Sequence, residues 1–175
     1  MCTTTTSETT PLSAVPFDFA APPAEGITWN AWEAMPAQEA NWTCSACALA
    51  WVLRSTGLNP EATEWSEVYE IGTPQNINSQ VGLTNANGSA LRAVYQTYGQ
   101  ATEQGWLGFD QVYALAQETT GQLSGAAWYH WVALRGVQGN NLWIANSAQG
   151  YKGVYDTLSR DDFARLGGFS VVWLV

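Results

Sequence analysis

The sequence predicts an α+β fold, with helices first along the chain and an antiparallel sheet last. Apolar residues recur at helical spacing between about residues 44 and 118, whereas runs rich in β-branched and aromatic residues dominate from Ala126 onward. The segment after Cys44 is Ala-rich and almost continuously apolar, which is typical of a helix buried at the centre of a domain. We therefore expect this helix to pack against the C-terminal sheet.

The first 26 residues differ in composition from the rest of the 175-residue chain. They are rich in Thr, Ser, Ala and Pro and lack a periodic apolar pattern, which predicts a flexible leader or a strap lying on the surface. The full chain is 46% hydrophobic and only 12% charged, and the length of residues 27–175 suits one core. The sequence thus predicts a single domain over 27–175.

The central helix is predicted over about 44–56. Thr43 or Asn41 can cap its N-terminus, and Gly57 suits its C-terminal end. A last short helix begins at Ser159, where Asp162 three residues on completes a capping box. The remaining predicted helices lie at about 61–70, at 89–98 with Ser89 as cap, and at 110–118 with Asp110 as cap.

The C-terminal half contains three predicted strands, at 128–135, 141–146 and 169–175. The first two form a hairpin, and a turn centred near Gln138 would place His130 opposite Asn146. The same face carries apolar residues and is expected to pack on the central helix, bringing His130 toward Cys44. These apolar residues are Val132, Leu134, Leu142 and Ile144.

Charge and hydropathy exclude several classes of partner. The net charge is -9, from 15 acidic and 6 basic residues without a Lys/Arg cluster, so a nucleic acid is not expected as partner. The longest strictly apolar stretch, Ala46 to Leu53, is too short to span a membrane, and the N-terminus lacks the pattern of a secretory signal. A soluble protein is predicted, whereas its compartment and oligomeric state are not indicated.

Four residues have the types and spacing of a cysteine hydrolase site. Cys44 falls in the first helical turn, where backbone dipoles favour a thiolate. Gln38, six positions upstream, can donate to an oxyanion together with the Cys44 N–H. His130 is the one histidine in the chain, and Asn146 can orient its ring.

These residues resemble the active site of papain-like cysteine peptidases. Gln38, five intervening residues and Cys44 opening an Ala-rich helix resemble the superfamily's oxyanion and nucleophile segment, and His130 with Asn146 on paired strands is similar to its second half. The length suits the compact bacterial branch similar to bacteriocin-leader-processing peptidases, although Ser45 and Asn146 stand where that branch commonly has Gly and Asp.

The resemblance implies a peptidase or amidase in which Cys44 is the nucleophile, His130 the base and Asn146 its orienter. Gln38 would donate to the oxyanion. A peptide or peptidoglycan peptide is the implied substrate, and no cofactor or metal is expected. Three tryptophans next to these residues are candidates for the substrate cleft: Trp42, Trp128 and Trp131.

Three alternatives use the same residues. Cys44-Ser45-Ala46-Cys47 is a Cys-x-x-Cys at a helix start, as in thiol-disulfide oxidoreductases, but no strand-like segment precedes it. A zinc site from Cys44, Cys47 and His130 would lack a fourth ligand in the folded domain. A catalytically inactive papain-like module that binds a peptide or glycan is the third alternative.

Overall fold

The structure, a computed structural model, describes residues 38–40, 42–75, 88–125, 130–147 and 155–175. The predicted leader, residues 1–26, lies outside the described residues. Within those ranges the helices are α1 (Cys44–Ser55), α2 (Glu64–Gln75), α3 (Ser89–Thr97), α4 (Phe109–Glu118) and α5 (Arg160–Leu166). The strands are β1 (Thr102–Leu107), β2 (Gly121–Gly125), β3 (Trp131–Gln138), β4 (Asn141–Ala145), β5 (Tyr155–Leu158) and β6 (Phe169–Leu174).

The strands form one six-stranded sheet in the order β1-β6-β2-β3-β4-β5. Every adjacent pair is antiparallel. The prediction of an α+β fold with a buried helix against an antiparallel sheet is confirmed.

Both faces of the sheet are covered by helices. On one face, α1, α2 and α3 enclose a core that includes Trp131, Ala133, Ala145 and Val172 from the sheet. On the other face, α4 and α5 pack through Phe109 and Phe163 over a second core. The sheet residues in this second core are Leu123, Val132, Leu134, Leu142, Ile144, Leu158, Phe169 and Val171.

Helix α1 is the central helix that the sequence predicts. All of its residues except Arg54 are buried, and it packs against β3, β2 and α2. Arg54 lies in the last turn, where a positive charge is favoured by the helix dipole. Thr43 occupies the N-cap position, but its side chain does not cap the helix and instead points to other partners near the site.

Two features of the predicted hairpin are wrong. The observed register pairs Leu134 with Ile144 and Ala133 with Ala145, after a bulge between Leu134 and Gly136. This register is shifted by two residues from the prediction. The two-residue turn at 139–140 lies further along the chain than position 138 and shifts the pairing by three, and the extra residue that the bulge inserts into β3 takes one back. Continued to the end of β4, it would set Asn146 opposite position 132 and not opposite His130.

The second error concerns the face that packs on α1. Val132 and Leu134 belong to the core under α4 and α5, whereas Trp131 and Ala133 face α1. The reason is that His130 and Asn146 lie just outside the ends of β3 and β4, where strand alternation no longer fixes the direction of a side chain.

Several element boundaries also differ from the predictions. Strands β1, β2 and β5 are observed and were not predicted. Gly88 and Gly108 occupy the N-cap positions of α3 and α4, one or two residues before the expected Ser89 and Asp110. The capping box of α5 at Ser159 is formed as predicted. Among the helices in the described ranges, none has the length and hydropathy to cross a membrane.

Candidate active site

Cys44 is the first residue of α1 and is buried, with 2% of its surface exposed. The N–H groups of a first helical turn have no acceptor within the helix, and the helix dipole favours negative charge there. Cys44 is disulfide-bonded in this structure. Its thiolate, and any nucleophilic reaction of it, therefore requires prior reduction.

Cys47 lies one turn further along α1 and is a free, buried thiol. Burial raises the pKa of Cys47 well above its usual value, and the neighbouring charge of Glu64 raises it further. Cys47 therefore stays protonated and is a poor nucleophile. Because Cys47 is free, the Cys44–Cys47 disulfide that the oxidoreductase alternative requires is not formed.

His130 and Asn146 form a direct hydrogen bond. His130 Nε2 lies 2.8 Å from Asn146 Oδ1, and the two residues are only 7% and 3% exposed. A carboxamide oxygen can only accept, so Nε2 carries the proton and Nδ1 is the basic nitrogen of the neutral ring. The contact forms across the strand ends, despite the register shift.

The environment of His130 favours the neutral imidazole. Burial lowers the pKa of His130 to about 4 from 6.5, while the hydrogen bond to Asn146 acts in the opposite direction. At neutral pH the ring is therefore uncharged and can take up a proton. A thiolate nearby would stabilise the imidazolium and raise this pKa.

Gln38 is buried and is held on both sides of its carboxamide. Its Nε2 donates to the carbonyl oxygen of Ala40 at 2.7 Å, and its Oε1 accepts from the hydroxyl of Ser147 at 3.2 Å. The backbone N–H of Gln38 also donates to the Ser147 carbonyl at 2.8 Å. One Nε2 hydrogen remains for another acceptor, as an oxyanion donor requires.

Ser147 links the two halves of the site. It follows Asn146, contacts Gln38 across 109 residues of sequence, and lies near enough to Cys47 in α1 to lower the pKa of that thiol, against the larger effect of burial. The segments that carry Gln38, Cys44 and Asn146 are thereby held together, and Asn146 in turn holds His130.

Two functional candidates were not found from the sequence. Ser147 could have been suspected only because it adjoins Asn146. Glu64, the first residue of α2, is 8% exposed, and its carboxylate accepts from the N–H of Glu39 and the hydroxyl of Thr43. Acidic residues are common in the first turn of a helix, so the position of Glu64 in the sequence does not indicate these distant partners.

The proposed cleft tryptophans lie in different environments. Trp42 is partly exposed and forms an edge contact with Trp65, with ring centroids 6.0 Å apart. Trp131 is buried in the core on the α1 side of the sheet, a position that does not support a role in a cleft. Trp128 lies outside the described residues.

Metal-binding side chains do not cluster in the part of the chain that the structure describes, where no group of three or more His, Cys, Asp or Glu could hold an ion.

Comparison with known proteins gives structural matches only. No family model matches the sequence, and no curated protein matches it significantly. A double-glycine motif protease from an AMS/PCAT transporter, crystallised with the leader peptide, is 19% identical and has a TM-score of 0.60. The match covers 87% of this chain and 96% of that one.

The peptidase domain of Streptococcus ComA, a bifunctional ABC transporter involved in quorum sensing, is also similar. It is 15% identical with a TM-score of 0.61, over 82% of this chain and 98% of that chain. The chain has the papain-like cysteine peptidase fold. The resemblance drawn from the Gln38 to Cys44 segment and from His130 with Asn146 is thus confirmed for the fold.

Proposed function

We propose that this protein is a cysteine peptidase that hydrolyses a peptide bond with Cys44 as nucleophile. The observation that carries the proposal is the buried 2.8 Å contact between His130 Nε2 and Asn146 Oδ1. It leaves Nδ1 as the basic nitrogen, which is the arrangement that a Cys-His-Asn triad needs. The contacts of Ser147 with Gln38 and Cys47 support the assembly of all four residues.

The reaction begins with reduced Cys44. Its thiol transfers a proton to Nδ1 of His130, and the thiolate attacks the substrate carbonyl carbon. The carbonyl electrons move onto oxygen, where the second Nε2 hydrogen of Gln38 and the N–H of Cys44 stabilise the charge.

The tetrahedral intermediate collapses when the His130 imidazolium gives its proton to the leaving amine, and a thioester with Cys44 remains. Water then attacks the thioester while His130 accepts its proton. A second collapse releases the carboxylic acid product and regenerates the Cys44 thiol. Asn146 holds the ring in one orientation throughout.

A peptide with a double-glycine motif is the substrate we propose. The similar transporter protease is a double-glycine motif protease, and its crystal structure is a complex with the leader peptide. Glycine has no side chain beyond its α-carbon, so a site shaped to accept two of them would reject larger residues. The net charge of -9 favours a neutral or basic peptide.

The test is cleavage of a synthetic leader peptide by the reduced protein, followed by mass spectrometry. We expect cleavage after Gly-Gly, loss of cleavage when Gly-Gly is replaced by Val-Val, and loss of it in Cys44→Ala and His130→Ala. Gln38→Ala should lower kcat on the order of 100-fold.

Two outcomes would contradict the proposal. Absence of cleavage of both leader peptides and generic amide substrates by the reduced wild type would remove peptidase activity. Retained binding of the Gly-Gly peptide in that case, measured by calorimetry, would support the inactive binding module instead.

A further inference from the structure

Glu64 is a buried carboxylate outside the proposed triad, and its partners lie on either side of one short segment. Both of its oxygens accept from the backbone N–H of Glu39, at 3.0 Å each. Its Oε1 also accepts from the hydroxyl of Thr43. A buried carboxylate is costly unless donors satisfy it, so these contacts form a built arrangement.

The two partners of Glu64 are neighbours of proposed catalytic residues in the sequence. Glu39 directly follows Gln38, and Thr43 directly precedes Cys44. Glu64 therefore holds both ends of the segment that joins the proposed oxyanion donor to the proposed nucleophile.

The same segment is closed internally at Ala40. The Ala40 carbonyl oxygen accepts from Gln38 Nε2 at 2.7 Å and lies 2.8 Å from the Thr43 hydroxyl oxygen, whose single hydrogen is shared between Ala40 and Glu64. With Glu64 on the outside and Ala40 within, the Gln38 carboxamide and the start of α1 are fixed relative to each other. Removing the carboxylate would leave the Glu39 N–H without its acceptor and the Thr43 hydroxyl with Ala40 as its remaining one.

We propose that Glu64 is a positioning residue that sets the distance between the two oxyanion donors, the Gln38 carboxamide and the Cys44 N–H. The inference rests on the proposed peptidase function. Glu64 acts through Glu39 and Thr43 and does not touch the substrate. A misplaced donor weakens stabilisation of the transition state more than binding of the ground state, so kcat falls while KM changes little.

The decisive comparison uses two reagents that make different demands on the site. Iodoacetamide alkylates the Cys44 thiolate by displacement of iodide and needs no oxyanion donor. A peptide aldehyde adds the Cys44 sulfur to its carbonyl carbon, and the resulting hemithioacetal oxygen occupies the oxyanion position. Each is measured on reduced protein, alongside kcat and KM for a cleaved peptide.

For Glu64→Ala we expect aldehyde affinity and kcat to fall on the order of 10- to 100-fold, with the alkylation rate and KM changed by less than about threefold. Glu64→Gln keeps an acceptor for Glu39 and a group that can bond Thr43, so it should retain most of the affinity. The matched control is Glu67→Ala, which removes another buried carboxylate of α2 that does not contact this segment.

A second pair of variants decides the question where Glu64→Ala fails to fold. Thr43→Val removes the hydroxyl at one end of the segment, whereas Thr43→Ser keeps it. We expect Thr43→Val to lose aldehyde affinity and Thr43→Ser to retain it.

The outcomes separate the inference from the function on which it rests. Undiminished aldehyde affinity in Glu64→Ala, or an equal loss in Glu67→Ala, would overturn the positioning role and leave the peptidase intact. For an unfolded Glu64→Ala, equal affinities of the two Thr43 variants would overturn it. A reduced wild type that neither cleaves peptides nor binds the aldehyde would overturn the peptidase and the positioning role together.

Discussion

The ionisation of His130 gives a direct test of the site, because the chain has one histidine and its NMR signals need no assignment. Burial lowers the pKa of His130 to about 4 from 6.5, which corresponds to about 3 kcal/mol in favour of the neutral ring. At pH 5 we expect about 10% imidazolium, compared with about 97% for a solvent-exposed histidine.

The same shift predicts how stability depends on pH. Above pH 6.5 the ring is neutral in both the folded and the unfolded chain. As the pH falls from 6.5 to about 4, the unfolded chain binds a proton that the folded chain does not. The contribution of His130 to the free energy of unfolding therefore falls by about 3 kcal/mol across this window.

The assay is a pH titration of the imidazole carbon resonances with Cys44 in its disulfide. A midpoint near 4 is expected, and a midpoint near 6.5 would refute the buried, Asn146-bonded state of His130. After reduction, a Cys44 thiolate should move the midpoint upward, because it stabilises the imidazolium. Reduced Cys44→Ala is the control, and a midpoint equal to that of reduced wild type would contradict a Cys44–His130 pair.

Three other measurements concern the thiols, a buried carboxylate and strand packing. Before reduction, iodoacetamide should label neither Cys44 nor Cys47. After reduction, it should label Cys44 and leave Cys47 unlabelled. Labelled Cys47 in peptide mass spectra would show that the Cys47 thiol is not inert. Burial raises the pKa of Glu67 to about 7 from 4.5, so its contribution to stability falls by about 3 kcal/mol as the pH rises through this range. Urea unfolding of Glu67→Gln should lack that fall, and an unchanged pH dependence would count against it. A Cβ at Gly121 would lie 2.0 Å from a backbone oxygen of β6, so Gly121→Ala should cost about 1–3 kcal/mol. The nearest atom to a Cβ at Gly105 is 3.5 Å away, and an equal cost for Gly105→Ala would contradict the argument.

The sequence was most informative where one physical signal dominated. The apolar run after Cys44 predicted α1 to within a residue, because a helix buried on all sides leaves a continuous apolar pattern. Ser159 and Asp162 predicted the start of α5, because a capping box is a local signal. The papain-like fold was implied by the resemblance of Gln38, Cys44, His130 and Asn146 to papain-like peptidases, and it is confirmed by the structural neighbours.

Elements without a local signal were missed. Strand β2 is buried along its whole length, yet its Gly121-Gln122-Leu123-Ser124-Gly125 sequence has neither β-branched residues nor apolar alternation. Its partners alone define it as a strand. The face of β3 toward α1 was assigned wrongly because the sheet is covered on both sides, so Trp131 and Val132 are equally apolar and alternation carries no information.

The contacts within the site were the least accessible to sequence. Glu64 and Ser147 have ordinary neighbours along the chain, and their roles arise from partners 25 and 109 residues away. Gln38, Cys44, His130 and Asn146 remain a proposal as a catalytic set, although the His130–Asn146 contact is present in the structure.

The burial of α1 has a consequence for biosynthesis. A chain made from its N-terminus completes α1 well before the ribosome reaches Trp131, Ala145 and Val172, which cover that helix in the folded protein. A nascent chain must therefore shield an apolar helix with chaperones or with its own early segments. The nascent chain would also be inactive as a peptidase, because the proposed nucleophile is translated long before Ser147, which bonds Gln38. Peptide cleavage would therefore begin only after synthesis has passed the end of β4.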